Sequence, residues 1–173
     1  CGNGGRCIVA FAQKLGLISS NTWIQFMAVD GLHQALIDEV GEVQLKMQAV
    51  TQVGTHADTT DYVLDTGSPH YVRFVAQLPS IDVFAEGRAI RNSPSFKQKG
   101  INVNFVQVTA QGLHVATYER GVENETYSCG TGVVAASIAA VCHQQYANAS
   151  TGIRIISKGG QLKVRFTGTS APF

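Results

Sequence analysis

Apolar positions recur along the chain with two spacings, one near 3.6 and one of 2. From Gly4 to about Leu17, Cys7, Ala10, Phe11, Lys14 and Leu15 fall at helical spacing, and Gly16 offers a stop. The runs TWIQFMAV and LHQALID read as strands around a hairpin signal at Asp30 and Gly31, and EVQLKMQAV (42–50) reads as a third. Short strands are predicted over 62–65, 71–75, 102–108 and 114–118, with a short helix and an irregular turn between Ile81 and Asn92. From Gly132 to Tyr146 the residues are small or apolar on nearly every side, which predicts a helix buried all round. GIRIIS and QLKVRF close the chain as strands about a turn at Gly159 and Gly160.

Laid side by side, the two halves repeat a pattern. CGNGGRCIVAFA leads into strand, turn and strand, and so does CGTGVVAASIAA. Such a repeat predicts two similar lobes related by an approximate twofold, with one C-G-x-G motif brought by each lobe to a shared site. The polar stretch QVGTHADTT (52–60) lacks periodicity, so the boundary is expected there: 1–58 as the remainder of an amino-terminal lobe and 59–173 as a carboxy-terminal lobe.

Composition narrows the function. At 173 residues, 45% hydrophobic and 14% charged, the chain can bury a core and is not of the disordered class. A net charge of +1, with Lys and Arg scattered, provides no basic stripe for a phosphate backbone, so nucleic acid is not an expected partner. No apolar run approaches a membrane span. Cys1, Cys7, Cys129 and Cys142 are expected as free thiols in a reducing compartment, since a chain of this size has little need of disulfides. The five histidines are dispersed and no close Cys-x-x-Cys pair occurs, so no metal site is expected. The opening residues carry no signal-peptide pattern, and a chain beginning on a reactive-type cysteine leads us to expect further residues upstream.

In each C-G-x-G copy, cysteine precedes glycines that open a helix. N–H groups at a helix start lack intrahelical partners and carry partial positive charge, so they attract a carboxylate and favour a thiolate. Inverting a stereocentre by proton transfer needs a base on one face and an acid on the other, each able to exchange roles. A thiolate/thiol pair from Cys1 and Cys129 meets that need. The plain alternative is that cysteine is a small buried hydrophobe, which is the reading for Cys7 and Cys142 inside the apolar helices.

The set C-G-N-G-G-R-C (1–7), T-G-S-P-H (66–70), Y-E-R-G (118–121) with Glu125 and Thr126, and C-G-T-G (129–132) resembles the diaminopimelate epimerase family, in that family's order. The resemblance implies an α+β fold of two pseudo-symmetric lobes, each a curved, mainly antiparallel sheet around a central helix. It implies interconversion of L,L- and meso-diaminopimelate without pyridoxal phosphate or any other cofactor, on a small-molecule amino-acid substrate, by a cytoplasmic enzyme that forms a homodimer. It assigns Cys1 and Cys129 to proton transfer, and the N–H groups of Gly2, Asn3, Gly130 and Thr131 to the carboxylate at the reacting carbon. Ser68, Asn102, Glu119 and Arg120 match further substrate-binding positions, and His70 and Glu119 match groups near the thiols. Ser68 stands where the family commonly has asparagine, and the loop after Arg120 is one residue longer than the commonest spacing. The family's amino-terminal segment and last strand have no counterpart in this sequence. Alternatives are a proline racemase-like isomerase, with no use for Arg120 and Asn102 as distal clamps, and a non-catalytic carboxylate-binding module. A redox role for the thiols is a third.

Overall fold

A computed structural model describes residues 2–29, 31–147 and 149–173. They form two compact units, Cys1–Gln48 and Ala49–Phe173. The first comprises α1 (Gly2–Lys14) and an antiparallel sheet in the order β1 (Ile24–Ala28), β2 (Gly31–Ile37), β3 (Val43–Leu45). Of the hairpin signal between β1 and β2, Asp30 lies outside the described residues. Alternation on the strands turns Ile24, Phe26, Ala35, Ile37, Val43 and Leu45 to one side, where they meet Val9 of α1. Gly5 lets the helix settle on that face, because a Cβ there would lie 3.0 Å from Leu45 Cδ2 and 3.4 Å from Phe26 Cζ. The helix ends as expected at Gly16, whose φ of +71° allows Leu17 N–H to reach back to Ala12 O and Gly16 N–H to reach Gln13 O. Cys7 departs from expectation. It is exposed rather than part of the core, because Val9 and Gly5 face the sheet and the flank carrying Cys7, Ile8 and Phe11 points away.

The second unit is an eight-stranded mixed sheet. Its strands are β4 (Val53–Thr55), β5 (Tyr62–Asp65), β6 (Pro69–Phe74), β7 (Asn102–Thr109), β8 (Gly112–Glu119), β9 (Asn124–Thr126), β10 (Ile153–Ser157) and β11 (Gly160–Val164). The order is β11-β10-β8-β7-β6-β5-β4, with β9 also paired to β8. Pairing is antiparallel except β6 with β7 and β8 with β10. Parallel neighbours need a crossover. The first carries a single 3-10 turn (Leu78–Ser80) and α2 (Val83–Arg91); the second carries β9 and α3 (Gly130–Cys142). The boundary expected after residue 58 falls earlier, between Gln48 and Ala49, because β4 lies within the polar stretch and pairs with β5 in this sheet.

Alternation along β6, β7 and β8 divides the apolar residues between two faces. Val72, Val106, Leu113 and Val115 form one cluster with α3, while Tyr71, Val103, Phe105 and Tyr118 form another with Val83 and Ile90 of α2. Helix α3 is buried on every side, as its composition predicts, with β5, β6, β7, β8 and β11 all packing on it. The sheet therefore curves round the helix. α3 stops short of Tyr146 because Gln144 takes a φ of +59° and Gln145 N–H returns to Ala140 O. α2 begins on Asp82, whose carboxylate accepts from Ala85 N–H at 2.9 Å.

The contact of α2 with the sheet depends on Gly87. A Cβ there would lie 2.4 Å from Tyr118 Cβ and 2.7 Å from its Cγ. Tyr118 is fully buried and cannot swing aside. Gly87→Ala should therefore destabilise the chain by about 1–3 kcal/mol through overpacking, read as a lower urea midpoint at unchanged m-value.

Candidate active site

The face of the sheet toward α3 is apolar along most of its length and polar at one end. Alternation sends Asn102 and Asn104 of β7 and Thr117 and Glu119 of β8 to this face, in register with His70 of β6 and Thr126 of β9. His70, Asn102, Asn104 and Thr117 are all buried. The first turn of α3 meets this patch through the Thr131 side chain and carbonyl.

Cys129 precedes the helix in an extended conformation (φ −115°, ψ 113°) and is 7% exposed. Its Sγ lies 3.4 Å from Thr131 Oγ1. Burial pushes the thiol's pKa up, and the Glu119 carboxylate adds to this; hydrogen bonds from the Thr131 side chain and from the N–H groups of Gly132 and Thr131 oppose it. Burial and the carboxylate thus favour the thiol, while the hydroxyl and N–H groups beside the sulfur favour the thiolate.

Thr131 joins the elements. Its Oγ1 is 2.9 Å from His70 Nε2 and 3.2 Å from Ser68 Oγ, while its carbonyl accepts from Thr66 Oγ1 at 2.9 Å. The Thr66–His70 loop therefore clamps the start of α3. Ser68 Oγ lies 3.0 Å from His70 Nε2 and accepts from Asn102 Nδ2 at 3.2 Å. Asn102 donates also to Pro69 O, and its Oδ1 accepts from Arg120 N–H at 2.9 Å. The Arg120 guanidinium is exposed and donates to Lys99 O. Glu119 accepts from Thr126 Oγ1 at 3.0 Å. The longer loop after Arg120 turns at Gly121 and Glu123, both with positive φ, and Glu123 is tied to Gly121 N–H, Arg91 and Tyr118.

The second unit thus gathers Ser68, His70, Asn102, Glu119, Arg120, Cys129, Gly130 and Thr131 at one end of its sheet. In the first unit, Gly2 and Asn3 open α1, and Asn3 Oδ1 accepts from Arg6 at 2.6 Å. Cys1 lies outside the described residues. Thr66 entered the sequence pattern only as the first residue of T-G-S-P-H, and Asn104 and Thr117 belong to no motif. Asn104 stands two residues after Asn102 on a strand, so period 2 alone would have put both on one face. Cys7, Cys129 and Cys142 are free. Among the described residues, no helix is long and apolar enough to cross a membrane.

Fold and site define the second unit as an α+β lobe that presents a cysteine on the buried N-terminus of its central helix. The family model described as diaminopimelate epimerase matches residues 62–171. A diaminopimelate epimerase of Flavobacterium psychrophilum is 46% identical over 175 residues, covering 100% of this chain and 66% of the relative. One from Chlorobaculum tepidum is 39% identical over 142 residues, covering 80% and 55%. Among solved structures, the phenazine biosynthesis protein of the PhzF family from Bacillus anthracis aligns with a TM-score of 0.68 at 13% identity. That alignment covers 94% of this chain and 66% of that one, and it bears on the fold alone. The chain belongs to the diaminopimelate epimerase family. It spans between about half and two thirds of the length of these relatives.

Burial, with the positive Arg120 adding to it, holds the His70 pKa down at about 3. The folded protein therefore binds fewer protons here than the unfolded chain between about pH 3 and 6.5, so stability is lost as pH falls through that window. His70→Gln should flatten this loss relative to the parent chain, as measured by urea unfolding at steps from pH 7 to pH 4.

Proposed function

We propose that the protein acts as a diaminopimelate epimerase, inverting one α-carbon between the L,L and meso forms by proton transfer between Cys1 and Cys129. The observation that carries this reading is a buried thiol at the first turn of α3, with hydroxyl and N–H donors directed at its sulfur. A thiolate on one face takes the α-proton and becomes a thiol. The carbanion takes a proton from the thiol on the other face, which becomes the thiolate, so each turnover leaves the two sulfurs with exchanged protonation states and no net redox change. The N–H groups of Gly2, Asn3, Gly130 and Thr131 hold the adjacent carboxylate, where their charge also stabilises the carbanion. Arg120 forks onto the distal carboxylate. Asn102, Ser68 and Glu119 supply polar contacts around it, Asn102 exchanging one of its present hydrogen bonds for the substrate.

No cofactor enters this scheme. The reading extends to a cytoplasmic homodimer formed by the full-length protein.

In the full-length protein, Cys129→Ala and Cys1→Ala should each reduce inversion of L,L-diaminopimelate by at least about 100-fold, the usual contribution of a positioned acid or base. Substrate binding measured by calorimetry should persist in both variants. Normal inversion by either variant would refute the two-thiol scheme, and binding without inversion by the parent would favour a carboxylate-binding module.

A further inference from the structure

The hydrogen bonds around His70 form a chain whose direction can be read from end to end, and it begins at a residue outside the substrate site. Asn104 is fully buried. Its Oδ1 accepts from Thr117 Oγ1 at 2.9 Å and its Nδ2 donates to the Tyr71 carbonyl at 2.9 Å. A carbonyl can only accept, so the atom facing it is the amide nitrogen. The second amide hydrogen faces His70 Nδ1 at 3.0 Å. That ring nitrogen must therefore accept. With the imidazole neutral, its one proton sits on Nε2.

Nε2–H then donates to Thr131 Oγ1 at 2.9 Å. Both nitrogens beside Ser68 Oγ, His70 Nε2 and Asn102 Nδ2, are donors, so within the cluster the acceptor for the Ser68 proton is Thr131 Oγ1 at 3.2 Å. The Thr131 oxygen thus accepts twice, from His70 and from Ser68. Its own proton is left to point at Cys129 Sγ, 3.4 Å away.

We propose that Asn104 is a positioning residue which fixes His70 as the Nε2–H tautomer and thereby commits the Thr131 hydroxyl proton to the sulfur of Cys129. His70 is then a fixed donor that acts through Thr131, and it takes no proton from the thiol. The committed hydroxyl stabilises the Cys129 thiolate and leaves the thiol form with less support, which matters to a group that must pass between the two. Gly132 belongs to the same device, since a Cβ there would lie 2.5 Å from Asn104 Oδ1. The other groups acting on the thiol are the Glu119 carboxylate, which opposes ionisation, and the N–H groups of Thr131 and Gly132, which favour it.

The inference deepens the epimerase reading, but its test uses the chain without substrate. In nitrogen-15-labelled protein, long-range proton–nitrogen spectra at pH 7 should show His70 with a protonated Nε2 and a bare Nδ1. Asn104→Asp puts an acceptor opposite Nδ1 and should move the proton there. Iodoacetamide labelling of the Cys129 peptide, followed by mass spectrometry across pH, reads the thiolate directly. Thr131→Val should slow labelling at neutral pH about tenfold, equivalent to losing one hydrogen bond to a charged group, and Thr131→Ser should restore it. An Nδ1–H tautomer or a charged ring in the parent chain would overturn the proposal. Equal labelling of the Val and Ser variants would do the same. Absent epimerase activity would count against the enzymatic assignment and leave these readouts unchanged.

Discussion

The first turn of α3 is buried against a sheet, and a buried helix start must satisfy N–H groups that have no partner within the helix. At α3 the Cys129 sulfur takes the N–H groups of Thr131 and Gly132, and a set of buried polar side chains gathers round the Thr131 hydroxyl and carbonyl. The sheet face is apolar where it meets the body of α3 and polar only where it meets the first turn. Thr66, Ser68 and His70 arrive from one loop and strand, Asn102 and Asn104 from the next, and Thr117 from a third. Glycine at position 132 lets the helix come close enough for these bonds to form. A cysteine placed there is buried, and burial and the Glu119 carboxylate favour its thiol form while the donors at its sulfur favour the thiolate.

Topology explains why that end of the sheet is available. The β7–β8 hairpin is flanked on both sides by parallel joins, and each join needs a crossover. The two crossovers place α2 and α3 on opposite faces of the sheet. Strands β6, β7 and β8 are thereby buried on both sides, and a polar side chain on them must be fully paired to be tolerated. His70 and Asn104 meet that condition, which is why their hydrogen bonds can be followed without a gap.

Periodic segments were legible in the sequence. The helical spacing of 4–17, the uniformly apolar 132–146 and the alternating runs of the hairpins each became the expected element, because their own residues carry the pattern. β4 and β9 were not legible. Each is three residues long, and Val53–Thr55 and Asn124–Thr126 pair only because β5 and β8 are already in place beside them. Motif residues such as Ser68, His70 and Thr131 could be named from the family resemblance, yet their connection could not, since Thr131 joins them across a helix start and a strand end distant in sequence. Asn104 and Thr117 escaped notice for a related reason. A lone polar residue in a strand reads as solvent-facing until a helix is known to cover it. Cys7 failed the other way, as an apolar helical position that the fold leaves exposed.

In the proposed reaction Cys129 and Cys1 serve opposite faces of one carbon, and the fate of the α-hydrogen tests this most directly. Full-length protein given L,L-diaminopimelate in deuterium oxide should form meso product that carries solvent deuterium from the first turnovers, while the remaining L,L pool keeps its hydrogen. Product that retains the substrate's own α-hydrogen would mean one group works both faces, and the two-thiol account would be wrong.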